Sequence, residues 1–153
     1  MQKHDFFEEL GRQRLVELWE AAIGAPAASA EQTATAIQFF DKPPGADKDT
    51  PVHQDGGFTV PHITNGCTEL AQVTLLLDDM DAANGALRFV HGSHREGLRP
   101  HGEGVVSFSK AMAGMEEADL AREVPMVAKR GDVLVHHCLT VRSRRRLPTC
   151  SRK

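Results

Sequence analysis

Two short stretches place chemically capable side chains at spacings that could bring them together. One is "VHQDGG", where His53 and Asp55 stand two apart. The other is "GDVLVHH", where His136 and His137 follow an alternating apolar run. Residues two apart on an extended strand point to the same face, so the imidazole of His53 and the carboxylate of Asp55 can converge on one cation. The plain alternative for an H-x-D triplet is a pair of polar loop residues, and the triplet alone does not decide between them. A set of two histidines and one carboxylate is the ligand group of non-haem Fe(II) oxygenases, which leaves positions open for chemistry.

The remainder of the chain must supply a frame for these residues. The 153 residues suit one domain with a modest core. With 41% hydrophobic and 25% charged residues, the composition is that of an ordinary globular protein. No apolar run is long enough to span a bilayer, and "MQKHDFFEEL" lacks the apolar core of a signal peptide. The three cysteines, Cys67, Cys138 and Cys150, are odd in number, widely spaced and without a CxxC pair. That pattern favours a reducing, cytoplasmic setting.

The net charge of −3 is unevenly spread. Six basic and no acidic residues lie from Arg142 onward, which leaves 12 basic against 21 acidic residues in the body. A basic end can engage nucleic acid or an anionic membrane. An acidic body with one tryptophan and no tyrosine offers little stacking surface, which argues against nucleic acid as a partner. The simpler reading is a solvated, irregular tail over 142–153.

The spacing of Phe6, Phe7, Leu10, Leu15, Trp19, Ala22 and Ile23 predicts an amphipathic helix, with Asp5 and Glu8 at its start and Gly24 and Pro26 at its end. "TATAIQFF" reads as a strand and "DKPPGADKDTP" as a turn-rich connector. Short β-like runs follow: "FTV", "LAQVTLLLDD", "ALRFV", "VVSF", "EVPMVA" and "DVLVHHCLTV", the last extending a strand to Val141. A helix is expected over Ser109–Arg122. This order predicts a mainly β domain with flanking helices, a sandwich or jelly roll.

Taken together, "DKPPGADKDTPVHQDGGF", "NGALRFVHGSHR" and "GDVLVHH" resemble the phytanoyl-CoA dioxygenase family over roughly Gln38–Val141. These are Fe(II)- and 2-oxoglutarate-dependent oxygenases on a cupin-like double-stranded β-helix. The resemblance implies a partial double-stranded β-helix domain over 1–141, incomplete at its C-terminus. It implies Fe(II) as metal, 2-oxoglutarate as cosubstrate, and O2 and a small organic molecule as the other reactants. His53 and Asp55 would be metal ligands, and the carboxylate of Asp55 speaks against the halogenase branch of related enzymes. Gln38 matches a position that often faces the cosubstrate, and Thr74 one frequently occupied by tryptophan, from which it could point inward and donate a hydrogen bond; the alternative is that both are polar residues at the edge of the core. Asn84-Gly85 would form a tight turn and Gly92-Ser93-His94 would close a loop. His91, His94 and His101 would be loop or rim residues, and the Gly56–Cys67 loop and Arg95–Ala121 segment would enclose substrate.

One correspondence fails. In the family a late strand of the form GD-x-x-x-x-H-x-x-x-x-H supplies the second iron histidine at its end. Gly131-Asp132 and His137 match the first part, and the ligand position falls on Arg142. A guanidinium has no lone pair to donate to a metal. On one continuous strand His136 would lie about 20 Å from residue 142 and His137 would face away, so neither could substitute. No final strand is expected in "RSRRRLPTCSRK", and the cosubstrate-binding arginine of that strand has only Arg152 or Lys153 as a stand-in, the lysine being a poor substitute for a planar fork. These departures suggest a chain cut at its front and altered in frame after Val141, or else a non-catalytic pseudoenzyme or binding protein on the same scaffold.

Overall fold

The computed structural model describes residues 9, 15–24, 40, 50–57, 71–106 and 109–144. It is mainly β. Strands β1 (Thr50–His53), β2 (Ala71–Leu75), β3 (Leu87–Val90), β4 (His101–Val106), β5 (Ser109–Met112), β6 (Glu123–Pro125), β7 (Val133–His137) and β8 (Arg142–Arg144) are accompanied by helices α1 (Val16–Ile23) and α2 (Glu117–Arg122). A four-stranded sheet has the order β1-β8-β3-β6, and the pairs β2-β7 and β4-β5 are separate two-stranded ladders. The β-like runs "TATAIQFF" and "FTV", and the Asp5–Glu8 helix start, lie outside the described residues.

Helix α1 ends where glycine permits it. Gly24 takes φ +75° and its N–H closes on the Glu20 carbonyl at 2.8 Å, the left-handed cap that a side chain would strain. Trp19 docks this helix by donating Nε1–H to the Ala71 carbonyl of β2 at 3.1 Å. Strand β2 in turn pairs antiparallel with β7, from Ala71 opposite His137 to Leu75 opposite Val133. The core beneath them gathers Leu76, Met80 and Ala86, with Leu87, Met126, Ala128 and Leu134 packed against it.

Strand β7 is shorter than its apolar pattern suggests. The run expected to reach Val141 stops at His137, and the chain turns over 138–141 and re-enters as β8 in the other sheet. The reason lies in its side chains. Cys138, Leu139 and Val141 are all buried, so the crossing runs through the interior. Its backbone groups are satisfied there: Gly56 N–H donates to the Cys138 carbonyl, Val90 N–H to the Val141 carbonyl, and Val141 N–H to Ser93 Oγ, each at 2.9 Å. Residues 142–144 therefore continue the sheet, pairing with both β1 and β3, where an irregular tail was expected from Arg142. Residues 145–153 lie outside the described residues.

Two loops behave as their sequences imply. Asp81 Oδ1 accepts from the N–H groups of Ala83 and Asn84, and Gly85 follows at φ +78°, completing the turn before β3. Ser93 donates to the Val90 carbonyl at 2.8 Å and so closes the Gly92-Ser93-His94 loop. The helix expected over Ser109–Arg122 is divided. Ser109–Met112 pairs with β4 as β5, and α2 starts only at Glu117, where Glu116 and Asp119 form a reciprocal capping box.

Asp119 also ties the loop after β3 to α2. It is buried, and Arg99 grips both of its oxygens at 2.6 and 2.9 Å while Arg122 adds a contact at 3.0 Å. Glu96 bridges the same two arginines from outside. The hydrogen bond from Arg99, opposed by burial, holds the Asp119 carboxyl down at about 2. A carboxyl depressed by folding contributes stability that is complete above the ordinary aspartate range and is lost as pH falls from about 4 towards 2. Asp119→Asn should lower urea-derived stability at pH 7 by about 1–3 kcal/mol. The loss should shrink at pH 2–3, where the wild-type carboxyl also protonates.

Candidate metal centre

Strand β1 ends on His53, and in its ladder with β8 His53 stands opposite Arg142. Asp55 follows two residues later in a turn. His136 arrives from β7, in the other sheet, just before the buried crossing. Three chain segments thus converge on one carboxylate. Arg142 Nη2 donates to Asp55 Oδ1 at 2.6 Å, and His136 Nε2 lies 3.0 Å from Oδ2. His53 Nε2 lies 3.3 Å from Oδ1, outside the angles of a hydrogen bond. His53, Asp55 and His136 are all buried.

The proton positions follow from the acceptors. His53 Nδ1 lies 2.7 Å from the Pro51 carbonyl, which can only accept, so Nδ1 carries a proton. In the neutral ring Nε2 then presents its lone pair to the cluster, the arrangement a metal-binding histidine takes when its other nitrogen is anchored to backbone. His136 has the opposite arrangement. Its Nε2–H donates to the carboxylate and its buried Nδ1 lacks a partner. Burial pushes the His136 pKa down despite the neighbouring Asp55, so the ring is neutral and aims a proton at the cluster. The ring of Phe89, 5.1 Å away and tilted by 56°, packs against it.

Burial alone would raise the Asp55 pKa. The hydrogen bond from His136 and the charge and hydrogen bond of Arg142 outweigh it, holding the carboxyl far below the usual carboxylate range. Asp55 is an anion, and its counter-charge is Arg142.

The turn that carries Asp55 is fixed by the residue between the two candidate ligands. Gln54 is fully buried, and its side-chain amide donates to the Leu139 carbonyl at 2.6 Å and the Gly97 carbonyl at 2.9 Å. Its Oε1 accepts from Arg99 N–H at 2.8 Å. One amide therefore joins the H-x-D turn, the crossing after β7 and the loop before β4. His101 adds a fourth link. It accepts the Gln54 N–H at Nε2 (3.0 Å) and donates from Nδ1 to the Arg99 carbonyl at 2.7 Å. A Cβ on Gly57 would come within 2.7 Å of its ring, so glycine is needed for this packing.

Each residue expected at the site now has a place, with one exception. His53 Nε2 and Asp55 Oδ1 lie 3.3 Å apart. Thr74 lies on β2 opposite Leu134, and Gln72 stands opposite His136, so Thr74 shares the sheet face that carries His136. Gln38 lies outside the described residues. His91 is exposed in a turn, and His94 packs its ring 5.4 Å from that of His137. His101 is a structural link, not a rim residue. His136 was placed out of reach on the assumption of a straight strand, and the turn at 138–141 overturns this by bringing both His136 and Arg142 to Asp55.

A buried carboxylate beside a histidine with an anchored Nδ1 resembles two of the three protein donors of a facial metal site. The third place is Arg142. Among the described residues no group of three or more His, Cys, Asp or Glu side chains is disposed to hold a metal ion. The donor set therefore fits iron only in part.

The mainly β fold and the His53–Asp55 pair are those expected of a protein related to the non-haem iron oxygenases. The chain belongs to the phytanoyl-CoA dioxygenase (PhyH) family, whose profile matches residues 1–143. Among solved structures it is similar to the non-heme monooxygenase ThoJ in its apo form, at 26% identity and TM-score 0.51, over 67% of this chain and 36% of that one. It is similar in fold to the epimerase SnoN, solved with Fe3+, alpha-ketoglutarate and nogalamycin RO. That match has 21% identity and TM-score 0.59, over 98% of this chain and 55% of SnoN. The chain thus spans about a third to a half of the length of these proteins. No protein of curated function matches it.

Replacing Gln54 by leucine keeps the volume but strands the buried Leu139 carbonyl and takes a partner from the half-buried Gly97 carbonyl and Arg99 N–H. An unmet buried group costs about 1–3 kcal/mol, so Gln54→Leu should lose at least about 2 kcal/mol in urea unfolding. A neutral result would show that water replaces the amide.

Proposed function

We propose that this chain keeps the scaffold of a Fe(II)- and 2-oxoglutarate-dependent oxygenase that hydroxylates a small organic substrate, and that Arg142 withholds the third metal donor. Activity in the chain as written is then weak or absent. The observation that carries this reading is the pairing of a ligand-like His53 and Asp55 with a guanidinium at 2.6 Å from the carboxylate. The anchored Nδ1 of His53 supports the oxygenase ancestry, because a purely structural histidine has no need of a lone pair aimed at an anion.

Iron bound at such a site would supply redox chemistry with O2. The residues present do not complete its coordination. His53 and Asp55 hold their geometry through Pro51 and Gln54, whereas Arg142 occupies Asp55 Oδ1 and His136 occupies Oδ2 with an N–H. Family resemblance supports Gln38 and Thr74 as contacts for 2-oxoglutarate. The Gly56–Cys67 loop and the Arg95–Ala121 segment are the proposed substrate enclosure, since loops at the open end of such barrels carry function. Among the described residues no helix is long and apolar enough to cross a membrane.

Succinate formation from 2-oxoglutarate under Fe(II) and O2 tests the reading. The wild type should remain at background, and its Fe(II) affinity should fall more than about 10–100-fold below that of an intact facial triad, the loss that even an outer partner can cause. Arg142→His should raise Fe(II) affinity by at least about tenfold. Robust iron-dependent succinate formation by the wild type would contradict it.

A further inference from the structure

We infer that the Arg142 guanidinium is the resident cation of this site: the chain has exchanged a metal ion for one of its own side chains, and the fold around His53 and Asp55 depends on that charge. The inference rests on reading His53 and Asp55 as a former metal pair, and extends it from a lost activity to a retained structural role.

Three observations lead to it. First, Asp55 is a buried anion, and such a charge requires a partner in the interior. Arg142 meets that need at 2.6 Å with a guanidinium that stays charged at every accessible pH. Second, the contact is not the two-pronged fit that arginine and carboxylate normally make. Nη2 reaches Oδ1, Oδ2 is taken by His136, and Arg142 Nε is buried with no acceptor. The carboxylate's surroundings are shaped for a point-like cation flanked by imidazoles, not for a planar fork. Third, His53 Nε2 is buried without a hydrogen-bond partner although its lone pair faces the cluster. That lone pair would repel Asp55 Oδ1 at 3.3 Å unless positive charge lay beside them.

The ladder explains how one substitution could do this. Arg142 lies opposite His53 between β1 and β3, so its backbone is held by both neighbours and its side chain enters where a ligand at that position would enter. The charge comes from inside the fold and is present whenever the chain is folded. Metal is then no longer needed for stability, and it is excluded by electrostatic competition as well as by the missing donor.

Thermal unfolding of the full chain, in EDTA and in millimolar Co(II), tests the exchange without any measurement of turnover. The wild type should have the same Tm in both. Arg142→Ala should lose about 10 °C in EDTA, as expected when one partner of a buried pair is removed. Co(II) should return about 3–5 °C at ten times its Kd, by binding the vacated Asp55 and His53. Should Arg142→Ala fail to fold, Asp55→Asn with Arg142→Ala removes both charges and should be more stable than Arg142→Ala alone. Equal Tm values for the wild type and Arg142→Ala in EDTA would overturn the inference. A loss that Co(II) does not repair, or a double variant no better than the single one, would also overturn it and leave Arg142 an ordinary ion pair. Neither result bears on succinate formation, which stands or falls separately.

Discussion

A carboxylate taken out of water must meet a counter-charge, and in this chain that requirement organises the centre of the fold. Asp55 is buried, ionised and contacted from three sides, with Arg142 at 2.6 Å and His136 at 3.0 Å. Each of these contacts needs a different piece of backbone in register. Arg142 is delivered by β8 lying between β1 and β3, and His136 by the end of β7. The buried crossing at 138–141 must therefore turn sharply enough for both to point at the same atoms. Leaving the anion unpartnered would cost several kcal/mol, comparable with the whole stability of a small domain.

Around this charge the structure is held by polar links that cross between elements. Gln54 joins the H-x-D turn to the crossing and to the loop before β4, and Ser93 joins that crossing to the end of β3. Outside these, Arg99, Arg122, Glu96 and Asp119 fasten the same loop to α2. The arrangement is nested. Ion pairs around the buried Asp119 hold a loop, the loop holds Gln54, and Gln54 holds the turn that presents Asp55. Such a hierarchy is what a site requires when its charged group must keep a fixed position in a low-dielectric interior.

Part of this was legible in the sequence. The H-x-D triplet, the Asn84-Gly85 turn and the family blocks located the site and the mainly β class, because turn chemistry and side-chain alternation are local properties. The mismatch at Arg142 was legible as well, since a guanidinium cannot be a ligand. What alternation could not show was the break after His137. "VLVHHCLTV" has apolar residues on both sides of its two histidines, and a run buried on a strand reads the same as a run buried in a crossing. The distance argument that excluded His136 failed for that reason. The helix over Ser109–Arg122 failed similarly: the pairing of β5 with β4 outweighed helical spacing, and the capping residue Glu116 marked the true start. Gln54 and His101 gave no sequence signal of their importance, because their partners are backbone groups as far as 85 residues away.

On the reading proposed above, this chain has given up a metal and kept the architecture around its site. The substitution that removes a ligand also supplies a charge, so the buried carboxylate survives. Anomalous diffraction from crystals grown without oxygen in Mn(II) and 2-oxoglutarate would test this most directly. The account predicts no metal peak within bonding distance of His53 Nε2 or Asp55, with Arg142 Nη2 still on Oδ1. A metal peak between His53 and Asp55, with the Arg142 side chain turned away, would contradict it.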